Sequence, residues 1–432
     1  MKPQTQAAIS ASLRCDIFCN VIDNYGDIGV CWRLARQLAN EHGLAVRLWV
    51  DDLGSLAKLC PEADAALDSQ HCRGVEVRRW QLEFPVVQPA ELVIEAFACK
   101  LPQSYIEAMA AQEHKPVWIN LDYLSAEEWV ESHHKLPSPH PALPLTKYFF
   151  FPGFTEKTGG LLLERDLLER RDAFQSDAAQ QRAFWRSFGM KMPGAETLKI
   201  SLFSYENAAL HGLFDAWVNG NQPVLCLVPE GRILPQAGQY FGDAAPCVGK
   251  AYSRGNFQVR VLPFVEQERY DELLWACDVN IVRGEDSCVR AQWAGKPFIW
   301  QIYPQHDAVH WDKLQAFLNL YSAPLSLSAS DAVQGLWNAW NGMDMNTQTP
   351  PGLPLSGDEC VQHPLTRGGR EGFSKGSDAA GQAWPAFAAA RDELERHAQH
   401  WARQLAENNL ALNLLDFSRE IGRMRAIKIE GQ

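Results

Sequence analysis

Two short stretches of this 432-residue chain concentrate side chains that could do chemistry. The first is IDNYGDIG, in which Asp23 and Asp27 flank Asn24, Tyr25 and Gly26. Two carboxylates four residues apart at a glycine-bounded turn can orient a cation and accept a proton from it. The same residues also suit a local role, with Asp27 capping a following helix and Asp23 holding the turn. The second stretch is VRGEDS, which crowds Arg283, Glu285, Asp286 and Ser287 into one turn. With Ser287 as N-cap, free backbone N–H groups and the fixed charge of Arg283 would attract a pyrophosphate. Glu285 or Asp286 could accept hydrogen bonds from ribose or sugar hydroxyls, although acids in a first helical turn are equally ordinary dipole chemistry. Two further segments, SLFSYEN and LPFVEQ, put Phe203, Tyr205, Phe264 and Gln267 just beyond strand-like runs. There, rings can stack on a base, Gln267 can read its edge and Tyr205 can donate to a phosphate.

These residues need a scaffold, and the apolar pattern supplies one. CDIFCNVID reads as a strand that passes through NYGDIG into a helix whose Val30, Leu34 and Leu38 recur at helical spacing. AVRLWVDD, VEVRRW, LVIEAF and PVWINLDY follow as further buried strands, the pattern of a parallel sheet covered on both faces. The pattern restarts after Pro193 with TLKISLFSYEN, PVLCLVPEG, FQVRVLPFV, VNIVRGEDS and PFIWQIYPQ. An α/β chain of two Rossmann-like domains is expected, residues 1–185 and 190–404, with a helix over 405–432 packing back on the first domain. Ligands of open α/β sheets collect at the carboxyl ends of strands, so both acidic junctions should face a crevice. Residues 342–383, rich in Gly, Pro, Ser, Thr and Asp, read as a polar surface insertion.

Composition narrows the partners. With 46% hydrophobic residues the chain can bury two cores. Forty basic against fifty-two acidic side chains leave a net charge of -12, which would repel a nucleic-acid backbone. Eleven cysteines without a CxxC pair indicate neither a disulfide framework nor a zinc site. No GxGxxG, Walker, GxSxG or HExxH spacing occurs, so a nicotinamide, ATP or zinc-protease site gains no support. His133, His134, His306 and His310 read as structural. The sequence shows no apolar leader and no eighteen-residue apolar run, so a cytoplasmic protein without a membrane partner is expected.

Taken together, VIDNYGDIGVCWRLARQL, SLFSYEN, LPFVEQERYDELLWACD and VRGEDSCVRAQWAGKPFIWQIYPQ resemble the EarP family, the protein-arginine rhamnosyltransferases of bacterial elongation factor P. The likeness runs from about Cys15 to Tyr321. It implies a GT-B glycosyltransferase architecture, dTDP-β-L-rhamnose as donor, elongation factor P as acceptor, and an inverting, metal-independent transfer to a guanidinium nitrogen without a cofactor. It further implies that Asp23 and Asp27, with Glu285, are catalytic. Asn24, Tyr25, Gly26, Phe203, Tyr205, Phe264, Gln267, Arg283, Glu285, Asp286 and Ser287 would then bind the donor. The 342–383 stretch is longer than the family needs. An arginine with a pKa above about 12 is a poor nucleophile, so a base is required. Asp27 is expected to take the proton while Asp23 holds the guanidinium. Two other readings stand beside this one. One is a GT-B transferase using another nucleotide sugar and a small or lipid acceptor; the other is a non-catalytic nucleotide-sugar binding module.

Overall fold

A computed structural model of the chain describes residues 13–23, 25–304, 309–343 and 378–430, with side chains to residue 424. The first sheet is built from β1 (Arg14–Cys19), β2 (Ala45–Val50), β3 (Ser69–Cys72), β4 (Val75–Arg79), β5 (Leu92–Ala96), β6 (Val117–Leu121), β7 (Pro137–Pro139) and β8 (Thr146–Phe150). Its order is β3-β4-β2-β1-β5-β6-β8-β7, parallel except at the two edge pairs. The second sheet holds β9 (Leu198–Leu202), β10 (Val224–Pro229), β11 (Ala251–Arg254), β12 (Phe257–Leu262), β13 (Val279–Arg283) and β14 (Phe298–Gln301) in the order β11-β12-β10-β9-β13-β14. Here only β11 runs antiparallel to its neighbour.

In each sheet the central strands are buried on both faces, as helices on both sides require. Chain order reverses beside β1 in the first sheet and beside β9 in the second, which opens a crevice at the carboxyl ends of those strands. The first sheet carries α1 (Gly26–Asn40), α2 (Leu53–Leu59), α3 (Gln103–Ala111) and α4 (Trp129–His133). Next come α5 (Leu167–Ser176), α6 (Ala178–Ser187), α7 (Leu210–Asn219), α8 (Leu234–Tyr240), α9 (Gln267–Ala276), α10 (Glu285–Trp293), α11 (Val309–Ser322) and α12 (Leu327–Asn341). Three helices end the chain: α13 (Ala379–Ala389), α14 (Arg391–Leu405) and α15 (Leu410–Glu430). The result is two Rossmann-like units across a cleft, the GT-B architecture.

Packing moves the domain border inferred from sequence. Leu167 and Phe174 of α5, and Phe184 and Trp185 of α6, lie in the core of the second sheet, not the first. The residues before 185 therefore divide near 160. The cause is local: Phe174 packs edge-on against Phe184 and at a tilt against Trp275 of α9, which fixes both helices to the second unit. Leu410, Leu414, Leu415, Phe417 and Ile421 of α15 join the core of the first sheet, so the chain crosses between units twice. Of the polar stretch 342–383, residues 344–377 lie outside the described residues, and 379–383 open α13.

Candidate active site between the two domains

The loop from β1 into α1 is closed by its own acids. Gly26 N–H donates to the Asp23 carbonyl at 2.6 Å, which sets the turn. Asp27 sits in the first turn of α1, with Tyr25 at the N-cap, and its Oδ2 accepts the N–H groups of Ile22 at 2.8 Å and Asp23 at 2.9 Å. It thus ties the helix start back to the strand end instead of capping the helix. The carboxylate is only 3% exposed, and among the described residues no cation pairs with it. Burial pushes its pKa up to about 6; the two backbone N–H groups oppose that rise, and the neighbouring Glu285 and Asp23 add to it. Asp23 is differently placed. It accepts the Tyr205 hydroxyl at 2.6 Å, and the Arg283 guanidinium stands at 3.4 Å. Asn24 lies outside the described residues.

Arg283, at the end of β13, anchors an aromatic box. Its guanidinium lies 4.8 Å from the ring centre of Tyr205, 4.9 Å from Phe203 and 5.6 Å from Tyr25, and Tyr25 packs on Phe264 at 4.9 Å. The rings of Tyr25, Phe203 and Phe264 line a crevice together with Gly26, Tyr270, Gln267 and Ser287. Such a box, with a fixed cation at its mouth, suits a planar base joined to a phosphate. Burial raises the Tyr205 hydroxyl above its ordinary pKa, with Arg283 opposing, so it stays a proton donor. Gly284, not Ser287, takes the N-cap of α10: its φ of 69° is left-handed, and Ser287 falls within the first turn. A Cβ on Gly284 would also come within 3.3 Å of Asp23 Oδ2.

Two residues expected to meet the donor are already engaged by protein. Asp286 accepts from Arg33 Nη1 at 2.9 Å, Arg290 Nε at 3.0 Å and Gln267 Nε2 at 3.0 Å. Burial alone would raise its pKa, but Arg290 and Arg33 outweigh it and hold the carboxyl below the usual range. Gln267 is occupied at both ends, donating also to the Gly29 carbonyl and accepting from Arg36. Buried guanidinium groups demand carboxylates, and that demand takes precedence over hydroxyls of a ligand. Asp286 and Gln267 shape the crevice wall by joining α1 to α10.

Asp23 lines a second crevice, which shares Gly26 with the first. Asp23, Asp27 and Glu285 face it together. Glu285 accepts the Leu124 N–H at 3.1 Å and Lys313 Nζ at 2.9 Å, so it spans both units. Tyr123, just past β6, stacks on Phe97 with ring centres 4.6 Å apart. Phe97 and Ala98 follow β5 with φ of 56° and 54°, a left-handed conformation costing about 1–3 kcal/mol for each such residue. Sequence reasoning missed Phe97, Tyr123 and Lys313. The rule that picked Phe203 would have found Tyr123 and Phe97, each just past a strand, whereas nothing in the sequence flags Lys313. His310, read as structural, lines this crevice. His133 bonds the Trp129 carbonyl of its own helix, His134 accepts the Phe151 N–H, and His306 is outside the described residues.

The family model described as Elongation-Factor P (EF-P) rhamnosyltransferase EarP matches residues 15–419. A protein-arginine rhamnosyltransferase of Pseudomonas putida is 50% identical over 406 residues, 94% of this chain and 98% of that protein. One of Pseudomonas aeruginosa is 52% identical over 326 residues, 76% of this chain and 86% of its own length. Among solved structures, one described as the structural basis for EarP-mediated arginine glycosylation of translation elongation factor EF-P is 38% identical. It covers 94% of this chain and 99% of that chain with a TM-score of 0.62. With a match that spans nearly the whole chain and includes both acidic junctions, this protein belongs to the elongation factor P rhamnosyltransferase family, EarP.

Proposed function

We propose that this chain transfers L-rhamnose from dTDP-β-L-rhamnose to an arginine of elongation factor P, with inversion at the anomeric carbon. The observation that carries this reading is the contact of two unlike crevices at Gly26, one aromatic and cationic, the other lined by three carboxylates. In this reading the base stacks among Tyr25, Phe203 and Phe264. Arg283 and the N–H groups at the start of α10 receive the diphosphate, supplying the positive charge without a metal ion. The acceptor guanidinium enters the acidic crevice from the opposite side. It finds there the one carboxylate without a cation among the described residues, Asp27.

Chemistry then follows from placement. A protonated guanidinium cannot attack, and free deprotonation is too rare at neutral pH. Asp27, ionised above about pH 6, removes the proton as the nitrogen–carbon bond forms. Asp23 orients the guanidinium from the seam between the crevices, and Arg283 and Tyr205 hold Asp23. Holding both reactants in line removes the entropic cost of a bimolecular encounter. A cytoplasmic site of action fits an acceptor that works in translation, and among the described residues no helix is long and apolar enough to cross a membrane.

Incubation with dTDP-rhamnose and elongation factor P, followed by intact mass of the factor, tests the proposal. One rhamnosyl increment on an arginine is expected. An unmodified factor alongside an active transfer from another nucleotide sugar would overturn the donor assignment.

A further inference from the structure

Three carboxylates face the acidic crevice, yet they differ in what neutralises them. Asp23 has Arg283. Glu285 has Lys313, whose ammonium lies 2.9 Å away with the two side chains only 19% and 15% exposed. That same ammonium stands 5.4 Å from the ring centre of Tyr123. Lys313 comes from α11, one turn past His310, so it reaches the crevice from the second unit, while Tyr123 belongs to the first. Asp27 alone is left without a cation among the described residues.

An arginine entering this crevice brings one positive charge, a planar fork of donors and a face that stacks on rings. A bare Glu285 beside an uncovered Tyr123 would offer it a carboxylate and a π-face at once, a strong combination for a guanidinium. That seat centres on Glu285 and Tyr123, which share the crevice with Asp27 but would hold the guanidinium against a different carboxylate. We propose that Lys313 is a positioning residue that occupies the Glu285 carboxylate and the Tyr123 face, so that the acceptor guanidinium is directed onto Asp27. The inference rests on the reading of the site given above and adds a determinant of acceptor orientation to it.

The consequence is a split between binding and turnover. Removing the lysine charge opens a tighter but misplaced seat, which stabilises the ground state more than the transition state. The experiment uses the full chain with saturating dTDP-rhamnose and varied elongation factor P, comparing wild type, Lys313→Met, Lys313→Gln and Lys313→Arg. Binding of dTDP, read by calorimetry, reports that each variant is folded. In Lys313→Met the acceptor KM is expected to fall by about threefold to tenfold and kcat by about tenfold or more. Lys313→Gln should show the same split if Lys313→Met fails to bind dTDP. Lys313→Arg, which retains the charge, should stay within about threefold of wild type in both constants. Adding Glu285→Gln to Lys313→Met removes the competing carboxylate and should raise the acceptor KM above that of Lys313→Met alone. An acceptor KM that rises or stays unchanged in Lys313→Met and Lys313→Gln overturns the inference, as does Lys313→Arg behaving like Lys313→Met. A wild-type enzyme that transfers no rhamnose would instead strike at the reading of the site itself.

Discussion

Asp27 and Asp286 occupy equivalent places in the two halves of the molecule, each in the first turn of a helix that follows a central strand. Both are almost fully buried. Their surroundings are opposite. Asp286 is clamped by Arg33, Arg290 and Gln267, and its carboxyl is held below the ordinary range. Asp27 has only two backbone N–H groups, and its pKa rises to about 6. Two junctions of the same construction thus carry one acid committed to holding the halves together and one left under tension for a ligand. Burial alone does not mark a reactive carboxylate. The absence of a partner cation does.

The comparison can be broken by exchanging what each acid lacks. Asp27→Asn is expected to lower transfer by about 10²- to 10⁴-fold, the usual worth of a general base, with dTDP binding unchanged by calorimetry. Arg33→Met strips Asp286 and Glu164 of a shared guanidinium, and should cost about 3–5 kcal/mol of unfolding free energy in urea. Effects on stability at Asp27 run the other way. Its pKa is raised in the fold from 3.8 to about 6, so the native state binds more protons than the unfolded chain between those values. The destabilisation is absent below about pH 3.8 and complete above about pH 6. Asp27→Asn should therefore stabilise the protein at pH 8 by up to about 2–3 kcal/mol in urea titrations, a gain that disappears toward pH 4. The smallest effect sharpens the contact between the two helices. A Cβ at Gly29 would lie 2.9 Å from Asp286 Oδ2, and that oxygen cannot swing away from Arg290 and Gln267. Gly29→Ala should cost about 1–3 kcal/mol in the same titration.

Local features of the sequence were legible where the chain's own periodicity defines them. The apolar runs around Ile17 and Ile281 identify central strands, and the glycine-bearing turns after them identify the acidic junctions. What could not be read depends on distance along the chain. Arg33 meets Asp286 across 253 positions and Arg36 meets Glu268 across 232, so no spacing rule connects them. Helices α5 and α6 carry no address in their own sequence; only Trp275 and its neighbours decide which core receives them. Ser287 was the obvious N-cap by residue type, yet Gly284 takes that place because the backbone must turn left-handed beside Asp23. Tyr123 and Lys313 come from different units and acquire a role only once the cleft brings them together.

The proposed chemistry of Asp27 is tested most directly by the pH dependence of kcat/KM for elongation factor P, measured for wild type and Asp27→Asn. The acceptor arginine keeps its charge across this range, so the acid limb reports the free enzyme's base. The account predicts that wild-type kcat/KM falls about tenfold per unit below about pH 6, and that the residual activity of Asp27→Asn lacks this limb. A wild-type profile flat down to pH 5, or an Asp27→Asn profile that keeps the limb, would contradict it.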